Sequence, residues 1–223
     1  MMYQHLDNKG KVIGLPAGKT VCVGRNYLDH IQELNNEVPE QPLLFIKPST
    51  ALVTFAGEIR IPTDLGACHN ELEIAVLIGQ TLSHVAPEQA MQAVWGYGLG
   101  LDLTLRDVQD KMKAKGQPWE RAKAFDGSCP LSGFVPAIEV QEPQHLSFNL
   151  WVNEQVCQQG NAALMIHNMA ALISEISRYF TLLPGDVVLT GTPKGVGPLL
   201  PEDSLKAELC GYLQVDAQVR GVC

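Results

Sequence analysis

Glu71 and Glu73 stand two residues apart in His69-Asn-Glu-Leu-Glu-Ile-Ala-Val-Leu-Ile-Gly79. The segment runs into an apolar stretch closed by Gly79 and reads as a buried strand. Side chains two apart on a strand share a face, with Cα atoms roughly 6.5–7 Å apart. Two carboxylates on one face can converge on a hard divalent cation, which prefers oxygen ligands. Without a cation they would repel at the head of a buried strand. The plain alternative is a solvated strand end.

Asp102, Arg106 and Gln109 form a second group. Asp102 falls at a strand–helix junction, where a carboxylate can face a cleft. Arg106 and Gln109, three apart, share a helix face near it. A third carboxylate would complete an oxygen set suited to Mg²⁺ or Mn²⁺, and the planar fork of Arg106 suits a substrate carboxylate. An acidic helix start with an exposed Arg is the alternative. His30 and Glu33 are three apart on an earlier helix, off its apolar stripe. A carboxylate beside an imidazole orients it and raises its basicity, as a general base requires; an ordinary surface ion pair has the same spacing. Lys123, between Ala122 and Ala124-Phe125, could be desolvated enough to offset a developing enolate charge or hold a carboxylate. The glycine-rich segment from Gly185 to Gly197 does not match a P-loop. Its Gly-Thr-Pro turn could offer N–H groups and the Thr192 hydroxyl to a carboxylate, or serve as a simple turn.

These groups require scaffolding. Asp7 to Gly10 reads as a turn within a small N-terminal appendage, 1–16, ahead of a catalytic domain over 17–223. Strands are expected at 21–23, 43–46, 58–61, 71–78, 98–103 and 187–189, with a hairpin over 146–158 turning near Asn153 and one or two strands at the C-terminus. Helices are expected over 26–34 and 87–94, from Thr104 to Gly116, and around Leu172, Ile173, Ile176 and Phe180. Thr104 is read as the N-cap of the third helix, with Asp107 as its box partner. Residues 117–135 read as irregular. Short strands with few helices predict a β-rich α+β fold. The pattern lacks the βαβα regularity of a Rossmann sheet or TIM barrel.

Composition narrows the function classes. The 223 residues are 46% apolar and 18% charged, as in a well-buried globular chain. Net charge is −8 and the pI near 5.2, which argues against nucleic acid as the main partner. No apolar run reaches the ~20 residues of a membrane span, and the polar start has no signal-peptide core. Six cysteines lie scattered without C-x-x-C pairs, as expected for free thiols in a reducing cytosol. A cytoplasmic protein with a small-molecule substrate and no membrane partner is the expectation.

The segments Gly24-Arg-Asn-Tyr-Leu-Asp-His30, Leu44-Phe-Ile-Lys-Pro48, Glu71-Leu-Glu73, Asp102-Leu-Thr-Leu-Arg-Asp-Val-Gln109, Lys123 with Phe125-Asp126, and Gly185-Asp-Val-Val-Leu-Thr-Gly-Thr-Pro193 occur in that order. Together they resemble the fumarylacetoacetate hydrolase family, most closely its short acylpyruvate hydrolase and oxaloacetate decarboxylase branch. The resemblance implies a mixed β-sandwich roll, a homodimer, and Mg²⁺ or Mn²⁺ held by Glu71, Glu73 and Asp102. His30 and Glu33 match the family's water-activating pair and Lys123 its lysine beside the metal. Arg25, Arg106, Gln109 and Thr192 match substrate-binding positions. Longer family members add a fourth carboxylate ligand before the histidine helix; Val21-Cys22-Val23-Gly24 supplies none. The implied activity is metal-dependent hydrolysis of the C–C bond of an acylpyruvate or related 2,4-dioxo acid, with oxaloacetate decarboxylation on the same electron sink. The alternatives are a 2-oxo acid isomerase, tautomerase or decarboxylase, including one acting on aromatic-catabolism intermediates, and, from another class, a non-catalytic metabolite-binding protein.

Overall fold

The computed structural model describes residues 3–223. Alternation along the strand Leu72–Ile78 organises it. Leu72, Ile74, Val76 and Ile78 point into one large core, whereas Ala75 and Leu77 point into a smaller one on the opposite face. Period-two alternation makes such a strand serve two layers. Glu73 lies on the row of Ala75 and Leu77, so the smaller-core face leads directly to the acids.

This strand is central to the main sheet. The order is Leu43–Lys47, Thr20–Gly24, Val187–Leu189, Leu72–Ile78, Val94–Leu101, Cys129–Leu131 and Leu52–Thr54, with Val135–Pro136 also paired to Val94–Leu101. Parallel and antiparallel pairs mix: Thr20–Gly24 runs parallel to Val187–Leu189 and antiparallel to Leu43–Lys47. A second sheet orders Gln155–Asn161, Ser147–Val152, Ser204–Leu209, Leu213–Val222 and Gly57–Pro62. Its Phe148, Leu150, Leu205 and Val219 pack into the large core with the main sheet. The helix Met169–Tyr179 adds Leu172, Ile173 and Ile176. A short third sheet joins Gly197–Pro198, Cys68–Asn70 and Thr104–Leu105. The result is the expected β-rich α+β sandwich with a curled mixed sheet. The N-terminal stretch is tied to it, with His5 fully buried and its Nε2 2.9 Å from Gly185 O.

Most expected elements are present, with shifted ends. The hairpin turns through Asn153 and Glu154, both at positive φ, as a tight two-residue turn requires. Two expectations need correction. Thr104 does not cap a helix: it pairs with His69 in the third sheet, and its hydroxyl donates to Asp102 O at 2.9 Å. The helix begins at Arg106. The 117–135 stretch is not irregular throughout: it holds the helix Glu120–Lys123 and the strands Cys129–Leu131 and Val135–Pro136. Those elements are too short for periodicity to register, and neighbouring chain segments hold them in place.

Val94–Leu101 carries glycines at 96, 98 and 100. Gly98 lets the chain near 133 pass close over the sheet: a Cβ there would sit 2.7 Å from Gly133 O and 2.9 Å from Ser132 Oγ. Gly14 has nothing within 4 Å of the equivalent position. Gly98→Ala should therefore lower unfolding stability by about 1–3 kcal/mol, the usual range for overpacking. Gly14→Ala should leave it nearly unchanged. Urea denaturation of both variants checks this, and equal midpoints would refute the close-approach argument.

Candidate metal centre and active site

Glu71 precedes the strand Leu72–Ile78 and Asp102 follows Val94–Leu101. The strands are antiparallel, with Leu72 opposite Leu101 and Glu73 opposite Gly100. The Asp102 N–H donates to Glu71 O at 2.8 Å, continuing the ladder by one step. Pairing residues distant in sequence thus brings Glu71, Glu73 and Asp102 together. All three are buried, and an oxygen from each lies within 4.8 Å of the others.

Three cations surround them. Lys123 Nζ donates to Glu71 Oε2 at 2.8 Å and to Asp102 Oδ2 at 2.6 Å. Arg106 pairs with Glu71 Oε1 and also donates to Gln109 Oε1 at 2.6 Å. Lys47, wholly buried, lies 2.9 Å from Asp102 Oδ1. Its donors go instead to Ser128 Oγ at 3.1 Å, Leu103 O at 3.4 Å and the Lys123 carbonyl. Asp102 Oδ1 is consequently buried with no hydrogen-bond partner among the described residues, although the Lys47 ammonium is beside it. Among the described residues Glu73 pairs with no cation, and it accepts the Gly191 N–H at 2.6 Å.

The charge environment separates the two glutamates. Burial disfavours ionised Glu71, but Lys123, Arg106 and His30 outweigh it and hold its carboxyl well below the usual range. Burial, Asp102 and Glu71 together push Glu73 well above that range. Burial opposes the charge on Lys123, yet Asp102 and Glu71 raise its pKa. Glu73, which resists ionisation between Asp102 and Glu71, marks the place in the cluster where a further positive charge would be stabilising. Hard oxygen donors at this spacing fit Mg²⁺ or Mn²⁺, so the residues present suit the metal that the resemblance implies.

His30 reaches the same cleft from the helix Leu28–Glu33, with Glu33 beside it on the helix. His30 Nδ1 lies 3.3 Å from Glu33 Oε2. An ionised carboxylate only accepts, so Nδ1 carries the proton and Nε2 is left with a lone pair. Glu33 Oε1 accepts the Gly195 N–H at 2.9 Å, which anchors the helix to the glycine-rich segment. Arg25 also borders the cleft. It adopts φ 59°, a conformation uncommon outside glycine that clusters at functional sites. Its guanidinium bonds Asn36 Oδ1 at 2.9 Å and Glu37 O at 3.3 Å.

Of the ten expected residues, His30, Lys123, Arg25, Arg106, Gln109, Thr192, Glu71 and Glu73 line one cleft, Asp102 bonds Lys123, and Glu33 bonds His30. One expectation changes in detail. The Thr192 hydroxyl is not free to donate to a ligand, because it donates to Leu72 O at 2.8 Å and accepts from Gln158 Nε2 at 2.7 Å.

Two residues escaped the reading of the sequence. Gln158, wholly buried, comes from the second sheet. Its Oε1 accepts from Asn70 Nδ2 and Leu72 N at 2.9 Å each, and its Nε2 donates to Thr192 Oγ1 and to Pro193 O at 2.9 Å. No local pattern marks it. Lys47 stands in one of the family-like segments, and its only local signal is a lysine ending an apolar strand.

Comparison with known proteins agrees with this architecture. The family model described as "Fumarylacetoacetate (FAA) hydrolase C-terminal" matches residues 19–220. The chain is 54% identical to oxaloacetate tautomerase YcgM of Escherichia coli K12, covering 95% of this chain and 97% of that one. It is 44% identical to human mitochondrial oxaloacetate tautomerase FAHD1, covering 89% and 90%. The crystal structure of fumarylpyruvate hydrolase from Pseudomonas aeruginosa, in complex with Mn²⁺ and pyruvate, superposes with a TM-score of 0.93 at 34% identity, covering 100% of this chain and 97% of that one.

Burial lowers the pKa of His30 below its ordinary 6.5, and Glu71 and Glu33 only partly oppose this. The unfolded chain therefore binds the proton more readily. The His30 contribution to stability is present above about pH 6.5 and is lost as pH falls toward the depressed folded pKa. Titration of the His30 ring by NMR should give a midpoint below 6.5; a midpoint above it would mean that the carboxylates dominate.

Proposed function

Because the chain belongs to the fumarylacetoacetate hydrolase family, we propose that it is an enzyme that interconverts the keto and enol forms of oxaloacetate. The observation that carries this reading is the juxtaposition of His30, a neutral imidazole held by Glu33, with the buried ammonium of Lys123 in one acid-lined cleft. Two relatives at 54% and 44% identity described as oxaloacetate tautomerases support it.

A divalent cation held by Glu71, Glu73 and Asp102 would supply Lewis-acid polarisation of the 2-oxo group. His30 Nε2 accepts a proton from carbon 3 of the keto acid. The C–H electron pair becomes the C2–C3 double bond, and the carbonyl pair moves onto the 2-oxo oxygen, which takes a proton from solvent. Glu33 holds the ring through Nδ1 and stabilises the imidazolium that forms. Lys123 compensates the charge that grows on the oxygen, an interaction stronger in the transition state than in the ground state. Arg25, Arg106, Gln109 and the Thr192 backbone are assigned to orienting the substrate, the Thr192 hydroxyl being already engaged.

The first test is tautomerisation of enol-oxaloacetate, followed by ultraviolet absorbance. EDTA treatment should abolish it, and Mg²⁺ or Mn²⁺ should restore it. Glu71→Ala, Glu73→Ala and Asp102→Ala should each remove the metal-dependent rate while the circular dichroism stays that of the wild type. Undiminished activity in exhaustively chelated protein would sink this reading.

A second reading is hydrolysis of acylpyruvates, with decarboxylation of oxaloacetate alongside. The His30–Glu33 pair favours it, since that pair could equally deprotonate a water, and the fumarylpyruvate hydrolase likeness points the same way. Decarboxylation needs no activated water. His30→Ala should then cut acetylpyruvate cleavage by roughly 10²–10⁴-fold, the usual scale of general-base catalysis, with a smaller effect on oxaloacetate decarboxylation. Equal losses on both would assign His30 to substrate positioning.

A further inference from the structure

The outer part of the cleft carries positive charge that the acidic centre does not use. The helix Arg106–Ala114 turns Arg106, Gln109 and Lys113 toward the cleft, at positions i, i+3 and i+7 of one face. Arg106 is engaged with Glu71 and Gln109. Lys113, two turns further on, makes no side-chain hydrogen bond or ion pair among the described residues. Its ammonium lies over Trp119, 5.5 Å from the ring centre. Helical side chains lean toward the helix N-terminus, so Lys113 is directed back along the groove toward Arg106. Arg25 borders the cleft from another segment, and its guanidinium bonds only neutral acceptors, Asn36 Oδ1 and Glu37 O.

Two cations with no carboxylate partner among the described residues therefore line a half-buried groove. That arrangement is unfavourable in the free protein. Burial and then Arg106 disfavour the charged form of Lys113, and Arg25 adds to this, against the opposing pull of Asp110 and Glu71. An anion bound between Lys113 and Arg25 would relieve the repulsion.

The geometry points to a second-carboxylate subsite formed by Lys113 and Arg25, which selects dicarboxylic 2-oxo acids over monocarboxylic ones. This rests on the reading of the cleft as a 2-oxo acid site. With the carboxylate and 2-oxo group at the acidic centre, the far end of the substrate extends along the helix face. A terminal carboxylate there meets two cations. The methyl group of an acetylpyruvate leaves both uncompensated beside an apolar group. Lys113 is thus a specificity-determining residue that acts on binding and leaves the reacting carbons alone.

The experiment compares wild type, Lys113→Met and Lys113→Arg on three substrates: oxaloacetate, the longer fumarylpyruvate, and acetylpyruvate, which ends in a methyl group. Charge-assisted hydrogen bonds contribute enough that Lys113→Met should raise KM for a dicarboxylate by roughly 10–100-fold. The kcat should change little, because the interaction is shared by ground and transition states. KM for acetylpyruvate should stay put, and Lys113→Arg should recover most of the loss. The arms also separate the two chain lengths: whichever dicarboxylate suffers the larger KM increase is the one whose terminal group reaches the subsite. Proportional changes for all three substrates, or none for any, would overturn the subsite while leaving the 2-oxo acid reading intact. A wild-type protein inert toward all three substrates would overturn both.

Discussion

Three carboxylates packed within 4.8 Å of one another in a buried place repel strongly, and the structure around them is arranged to contain that repulsion. Lys123, Arg106 and Lys47 each approach the cluster from a different element: the end of a short helix, the start of a longer one, and the end of a strand. Removing one partner from such a buried set leaves an uncompensated charge, which costs far more than a surface pair of the same geometry gains. Positions of helices and strands that look unrelated in sequence are therefore coupled through charge. The acids fix where the cations must be, and the cations fix where their backbones can run.

The same logic explains why the backbone is so specific near the site. Glu73 pairs with no cation among the described residues and leans on the Gly191 N–H. Gly191 sits at φ +99°, and a Cβ there would come within 2.6 Å of Asn26 Cβ. Asn26 in turn donates through Nδ2 to His167 O and Thr190 O and accepts the His167 N–H. The turn that serves the glutamate is thus shaped by neighbours that never touch the cleft. Positional strictness passes outward through hydrogen bonds from a pair of acids to residues more than a hundred positions away.

What the sequence disclosed, and what it withheld, divides along the range of the forces involved. Glu71 and Glu73 were legible because strand alternation is local, and Asp102 because it ends an apolar run. His30 with Glu33 and Arg106 with Gln109 were legible because one helical turn is local too. The sandwich followed from many short apolar runs, and the ordered likeness to a family added the ligand set. Thr104 was misread because its local pattern is that of a cap, whereas pairing with His69 decides its backbone. The Glu120–Lys123 helix was missed because it is a single turn, and single turns have no period. Gln158 and Lys47 have meaning only once distant segments meet. An isolated glutamine on a hairpin and a lysine closing a strand look ordinary until their partners at Leu72, Thr192 and Asp102 are in place.

The reach of Gln158 across the sandwich has a mechanical consequence. Because this one amide bridges the ligand-bearing strand and the 192–193 turn, the centre shares the fate of the second sheet. Loosening the hairpin would leave the Leu72 N–H and the Asn70 amide without their buried acceptor, so local opening there is coupled to opening at the acids. Amide exchange at Leu72 should track that of the Ser147–Val152 strand, as members of one cooperative unit. The other wall of the cleft is held differently: the six-residue helix bearing His30 is tied to the glycine-rich segment through Glu33, which accepts the Gly195 N–H, and through Asp29, which pairs with Lys194. An amide far outside the chemistry thus joins the acids, the glycine-rich turn and the second sheet into one mechanical unit.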